Sequence, residues 1–238
     1  DIMTTNPIIV SVNDKRQDVA FLFDQYELIS APVVDARGRL IGMITIDDVV
    51  DLIREKADED ILKLGGVSAE GDLYLAAFKT ARNRFGWLAI NLITAILASI
   101  AIAFFETTIE KLVSLAILMP IVASMGGNAG TQTLTVAVRA IATREITSSN
   151  AIRVFGKEIL VGMYNGFFFA ILIGVITGLW FQDYLLGFII AFSMLFNLIL
   201  AGTFGAAVPI ILHRLRIDPA VSATVILTTV TDILGFVI

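Results

Sequence analysis

The chain contains no cysteine and a single histidine, His213. Disulfides and thiolate metal sites are therefore excluded, and zinc or copper selectivity has almost nothing to build on. Charge is also scarce: 16% of residues are Asp, Glu, Lys or Arg, against roughly 25% in soluble domains. The net charge of −5 argues against a nucleic-acid partner, because affinity for phosphate backbones rests on Lys and Arg. No secretory signal opens the sequence. It starts at Asp1, without methionine and inside a motif, so a segment of a longer chain is expected.

What the sequence has is apolar length. Hydrophobic residues make up 57% of the chain and the mean hydropathy is +0.85. Most charges precede Arg84, so a polar front is followed by an apolar remainder. Five apolar stretches run near Trp87–Phe105, Leu112–Ile141, Ile159–Phe181, Tyr184–Leu212 and Val221–Ile238. Each is long enough for a membrane crossing, which takes about 20 residues. Lys79, Arg82 and Arg84 precede the first stretch. Arg139, Arg144, Arg153 and Lys157 flank the turn between the second and third; His213, Arg214 and Arg216 lie between the fourth and fifth. The alternate connections hold Glu106, Glu110, Lys111 and Asp183. This asymmetry predicts a multi-pass protein of the inner (plasma) membrane, embedded in the lipid bilayer, with a cytoplasmic front and an external C-terminus. Gly126/Gly130, Gly162/Gly166 and Gly174/Gly178 have the spacing that lets helix backbones approach.

Polar residues inside the apolar stretches face a cavity or a neighbouring helix. Asn128, Gln132 and Thr135 share one face of the second stretch, downstream of Pro120 and the pair Gly126 and Gly127. That combination predicts irregular backbone with carbonyls free to face an ion. In the fifth stretch Thr224, Thr228, Asp232 and Gly235 share a face. An ionised aspartate in mid-membrane costs roughly 3 kcal/mol on insertion scales, and no Lys or Arg lies at similar depth to offset it. The open alternatives are a protonated carboxyl, a water-filled cavity and a bound cation; the cation is preferred. Carboxylate, amide, hydroxyl and carbonyl oxygens suit magnesium, calcium or manganese. Glu158, beside Lys157, reads either as a surface ion pair or as part of a polar face with Asn165. Asn197 reads as an interhelical hydrogen-bonding residue, and His213 as an interfacial one.

The front reads as a small α/β unit. "APVVDARGRLIGMIT" gives strand, turn and strand, followed by a helix from Asp47 that Asp47 or Asp48 would cap. "KRQDVAFLFDQYEL" gives an amphipathic helix upstream. Such a unit buries little and calls for a twin. An acidic run, Asp47, Asp48, Asp51, Glu55, Asp58, Glu59 and Asp60, leads toward the membrane.

With "PIVASMGGNAGTQTLTVAVRAIA", "RIDPAVSATVILTTVTDILGF" and the front "DIMTTNP…APVVDARGRLIGMITIDDVVDLI", the chain resembles the MgtE family of magnesium channels, relatives of the solute carrier 41 transporters. The resemblance implies a predominantly α-helical membrane protein, not an enzyme. A CBS-like segment (1–60, the second motif only) would be followed by a connecting plug helix (61–84, its helical part from about Gly71) and a five-helix membrane domain (85–238). It implies a homodimer, with a pore between the second and fifth membrane helices. The family's selectivity aspartate falls on Asp232 and its pore lining on Gly126, Gly127 and Asn128, beside Thr228. Its regulatory acids fall on Asp48, Asp51, Glu59, Asp60 and Asp218. The implied function is magnesium-selective uptake gated by cytoplasmic Mg2+, so Mg2+ is both cargo and regulator. Two rivals remain: a proton- or sodium-coupled divalent cation carrier with Asp232 as proton acceptor, and a membrane-anchored CBS sensor. Thr45 and Asp48 match the ribose-contact pattern T-x-x-D, but with half the CBS pair missing, nucleotide binding is not expected here, and regulatory sites needing the missing part would be incomplete.

Overall fold

The computed structural model describes residues 7–67, 75–147 and 149–238, without the side chain of Val221. The chain divides into two compact units, Asp1–Gly71 and Asp72–Ile238.

The first unit runs β1 (Val10–Ser11), α1 (Arg16–Gln25), β2 (Ser30–Val34), β3 (Leu40–Thr45) and α2 (Ile46–Leu64). Its sheet has the order β1-β2-β3. Val10 pairs with Val33 in the parallel ladder, and Ala31 pairs with Ile44 in the antiparallel one. The β2–β3 turn is the expected "DARGR". Asp35 Oδ1 accepts the backbone N–H groups of Arg37 (2.8 Å) and Arg39 (2.9 Å), and Gly38 supplies the left-handed residue at φ 73°. The Arg39 backbone N–H, then its guanidinium and the Arg37 N–H, hold the Asp35 carboxyl below its usual range. Val10, Val19, Phe23, Ala31 and Val49 form the core under one face of the sheet. Leu40, Ile41 and Met43 of β3 remain exposed. The first six residues of the quoted front, "DIMTTN", lie outside the described residues.

The second unit contains α3 (Ala77–Ala103), α4 (Glu106–Lys111), α5 (Val113–Ala142), α6 (Ala151–Phe181), α7 (Tyr184–Arg214) and α8 (Pro219–Val237). Four of these helices, α3, α5, α6 and α7, are long and apolar enough to cross a membrane. The fifth expected span corresponds to α8, which is apolar but shorter at 19 residues. The structure revises two expectations. Residues 77–84 form the first turns of α3 and continue unbroken into the apolar stretch, rather than forming a separate connecting helix; residues 68–74 lie outside the described residues. The break expected around Gly126 and Gly127 is absent, because α5 is one continuous helix through Pro120 and both glycines. Its Gly127 and Thr131 carbonyls additionally accept the hydroxyls of Thr131 and Thr135, and its Val122 carbonyl accepts the Asn197 amide.

α6 and α7 form a tight hairpin. Gln182 stops α6 in the left-handed region at φ 54°, and the Asp183 carboxylate caps α7 by accepting from the N–H groups of Leu185 (2.9 Å) and Leu186 (3.0 Å). The seam is glycine against backbone: a Cβ on Gly162 would sit 2.8 Å from the Leu198 carbonyl oxygen, and one on Gly187 2.6 Å from that of Gly174. Leu118, Val122, Ala170, Leu186, Ile190, Met194 and Leu198 form the core where α5 joins this hairpin. α8 lies against α5, α7 and α3. Gly187→Leu or Gly162→Leu should therefore force the hairpin apart, lowering stability by roughly 1–3 kcal/mol or more. Gly156→Leu, where an added Cβ meets nothing within 4 Å, should be nearly neutral. Thermal unfolding in detergent checks the contrast.

Candidate functional site

α5 and α8 run antiparallel. A Cβ on Gly130 would lie 3.0 Å from Leu227 Cδ1, and one on Gly235 would lie 3.4 Å from the Ala123 Cα. Successive helical residues turn by about 100°, and in antiparallel partners that rotation is mirrored. Residues just past the contact line on each helix therefore turn to one side of the pair: Ser124 and Thr131 on α5, Thr228 and Asp232 on α8. Ser124, Asn128, Thr131, Gln132 and Thr135 are exposed, and Asp232 and Thr228 are half-buried. The surroundings are apolar, so this polar side is the candidate site.

Its hydroxyls are pre-set. Thr131 and Thr135 donate to the carbonyls of Gly127 and Thr131, both at 2.8 Å. Thr228 donates to the Thr224 carbonyl at 3.0 Å. Each O–H is used within its own helix, which leaves the oxygen lone pairs turned outward as acceptors. An acceptor-rich face with a carboxylate suits a hard cation or its water shell and repels anions.

The candidate glycines divide. Gly126 is buried: a Cβ there would fall 2.4 Å from Asn197 Nδ2, so only glycine admits this side chain. Its place is a helix crossing rather than the exposed side. Gly127 meets nothing within 4 Å, and Asn128 is exposed. Within one chain a side chain at position 127 would meet no neighbour, whereas one at position 130 would press on Leu227.

Two buried polar groups are less sharply legible in the sequence. Glu158 is 9% exposed, and its carboxylate accepts from Thr133 Oγ1 on α5 at 3.3 Å, which replaces the surface pairing with Lys157 as its recorded contact. Its spacing from the helix start, two turns into α6, is the available signal. Asn197 is fully buried and donates from Nδ2 to the Val122 carbonyl at 2.6 Å, as expected of an interhelical amide, while its Oδ1 has no hydrogen-bond partner among the described residues. Interhelical hydrogen bonds in membranes average roughly 0.6 kcal/mol, whereas a buried acceptor left unpaired costs about 1–3 kcal/mol. The amide's polar atoms therefore add little net stability.

The acids of α2 are largely engaged. Asp48 Oδ2 accepts from the Thr45 N–H (3.2 Å) and hydroxyl (3.0 Å), so the T-x-x-D pair builds the helix start, with Thr45 as the capping residue in place of Asp47 or Asp48. Lys56 pairs with Glu59 (3.2 Å) and Asp60 (2.9 Å), and Lys63 pairs with Glu59. Hydrogen bonds from Lys63 and then Lys56 hold the Glu59 carboxyl below its usual range. Its contribution is thus present above the ordinary carboxylate pKa and is lost as pH falls through the depressed one. Burial, which acts to lower the Lys56 pKa, is outweighed by Asp60 and Glu59, which raise it. Asp51 lies on the same helix. Asp218 caps α8, accepting from the Ala220 N–H at 3.0 Å, with Pro219 in the first turn. Among the described residues, no three His, Cys, Asp or Glu side chains converge on a metal-sized site.

Apolar helices of spanning length and a small α/β unit define a membrane protein, with the paired polar face and its one carboxylate as the candidate site. A family model described as a divalent cation transporter matches residues 119–238, and the CBS domain model matches residues 1–55. Over its whole length the chain is 32% identical to the magnesium transporter MgtE of Bacillus subtilis and covers 53% of that protein. It is 32% identical to that of Enterococcus faecalis, covering 52%, and 34% identical to that of Thermus thermophilus, covering 53%. The chain thus spans about half the length of these curated relatives. It belongs to the MgtE family of divalent cation transporters.

The Asp218 geometry separates capping from charge. Asp218→Ala should lower thermal stability by about 1 kcal/mol, while Asp218→Asn, which keeps the acceptor, should be close to neutral. An equal loss in both variants, measured by unfolding in detergent, would assign the effect to charge.

Proposed function

We propose that this chain is the membrane part, with one CBS-like segment, of a magnesium-selective channel that takes up Mg2+ and is gated by cytoplasmic Mg2+. The carrying observation is the side shared by Ser124, Asn128, Thr131, Thr135, Thr228 and Asp232. In a monomer, lipid would meet amides, hydroxyls and a carboxylate there, which is unfavourable. A two-fold homodimer covers the face, brings two Asp232 carboxylates together and leaves a wet path between them. Five spans per subunit, with α8 as the fifth, put the CBS-like segment in the cytoplasm and the C-terminus outside the plasma membrane, as the positive loops require. Magnesium sheds water reluctantly. The paired carboxylates hold it through its water shell, and the outward hydroxyl oxygens accept hydrogen bonds from those waters.

Gating draws on the acids of α2, whose mutual repulsion Mg2+ offsets, favouring closure. Lys56 and Lys63 compete with it for Glu59 and Asp60. Removing Lys63 by Lys63→Met should therefore let closure occur at several-fold lower Mg2+ in channel recordings on the protein containing both CBS motifs; an unchanged threshold would remove Glu59 from the sensor. The coupled-carrier reading takes the Asp232 carboxyl as proton acceptor, and a single-channel recording separates the two.

The pore reading is tested by Mg2+ flux into liposomes. Asp232→Asn should fold and elute as the parent does, yet lose at least tenfold in its preference for Mg2+ over Ca2+. Unchanged preference would place the selecting group elsewhere.

A further inference from the structure

The fully buried Asn197 sits where three helices cross. Its Nδ2 holds the α5 carbonyl of Val122 at 2.6 Å. Both amide atoms lie over the Gly126 Cα: an added Cβ would be 2.4 Å from Nδ2 and 2.7 Å from Oδ1. On the third side is α8, where a Cβ at Gly235 would be 3.4 Å from Nδ2 and 3.6 Å from Oδ1. One turn earlier on α7, Ser193 Oγ donates to the Ile238 carbonyl at 3.2 Å. Of these two polar residues of α7, Ser193 thus bonds α8, while Asn197 bonds α5 and packs against α8 at Gly235. Asp232 lies three residues before Gly235, about one turn from that contact.

We propose that Asn197 is a positioning residue that fixes the height and rotation of Asp232 against the polar face of α5, and thereby sets ion selectivity. The inference rests on the reading of Asp232 as the selecting carboxylate. Among the described residues the amide makes one hydrogen bond, leaves Oδ1 unpartnered and demands glycine at 126. An apolar side chain would fill the crossing with none of these demands. A leucine, however, would leave α8 free to slide and rotate on a smooth surface, whereas a planar amide bonded to α5 defines one seat. A rotation of α8 by a fraction of a residue moves the Asp232 carboxylate off the two-fold axis, where its partner must meet the same hydrated ion.

The test is the Mg2+-to-Ca2+ flux ratio in liposomes, which loss of folded protein alone does not change because both fluxes then fall together. Asn197→Ala, Gly126→Ala and their combination are compared with Asp232→Asn. Asn197→Ala is expected to lower the ratio about tenfold. Gly126→Ala, which evicts the amide, should do the same, and the double variant should be no worse than the worse single, because the two act on one contact. Asn197→Ser, which retains a donor for the Val122 carbonyl, should recover part of the ratio; should Asn197→Ala fail to fold, it carries the comparison together with Gly126→Ala. A parent-like ratio in folded Asn197→Ala, or in both substitute variants, together with a lost ratio in Asp232→Asn, overturns this proposal alone. A parent-like ratio in Asp232→Asn overturns the underlying reading, and this proposal with it.

Discussion

A polar face on an apolar bundle is the constraint on which the rest of this structure depends. α5 and α8 are apolar helices, yet one side of the pair carries amides, hydroxyls and Asp232. The described residues of a single chain leave that side uncovered, because the faces next to it are already taken by α7 and α3. The glycine seam of α6 and α7 frees α7 to serve as a rigid back wall. That wall supports α5 and α8 from the side opposite the polar face, so the polar groups are held outward rather than folded into the core.

The same logic explains where the protein tolerates cost. Asn197 and Glu158 are buried polar groups with one recorded hydrogen bond apiece, and both lie at junctions of α5 with the hairpin. The threonines cost little, since their hydroxyls return to carbonyls one turn back. In the first unit the balance is different. There Asp48 is tied to the helix start and Glu59 and Asp60 to lysines, so these acids are held by pairing.

Much of this is legible in the sequence, for physical reasons that differ by element. The long apolar stretches become α3, α5, α6 and α7 because uniform apolarity over such length has few other outcomes. The "DARGR" turn is readable because Asp, Gly and Arg at those offsets close it locally. The motifs around Pro120 and Arg216 carry the family. The expected backbone break at Gly126 and Gly127 is not there, since glycine pairs serve close approach as readily as irregularity, and only the partner side chain, Asn197, distinguishes the two. Glu158 is deeper than its sequence context suggests because Lys157 is its neighbour in sequence but not on the helix surface, where consecutive residues diverge by about 100°. The fusion of the connecting segment with α3 is hidden from sequence because Lys79, Arg82 and Arg84 look like a boundary, although a helix continues through them without penalty.

The most direct measurement of the central claim uses the absence of native cysteine. Single cysteines at Asn128, Thr135 and Thr228 in the membrane-embedded protein are treated with a water-soluble thiol reagent, with Phe167 and Ile171 on the exposed apolar side of α6 as controls. Rapid modification is predicted at the first three, slowed by Mg2+, and none at the controls. Modification absent at all three α5 and α8 positions, or equal to that of the controls, would contradict an aqueous cation path along this face.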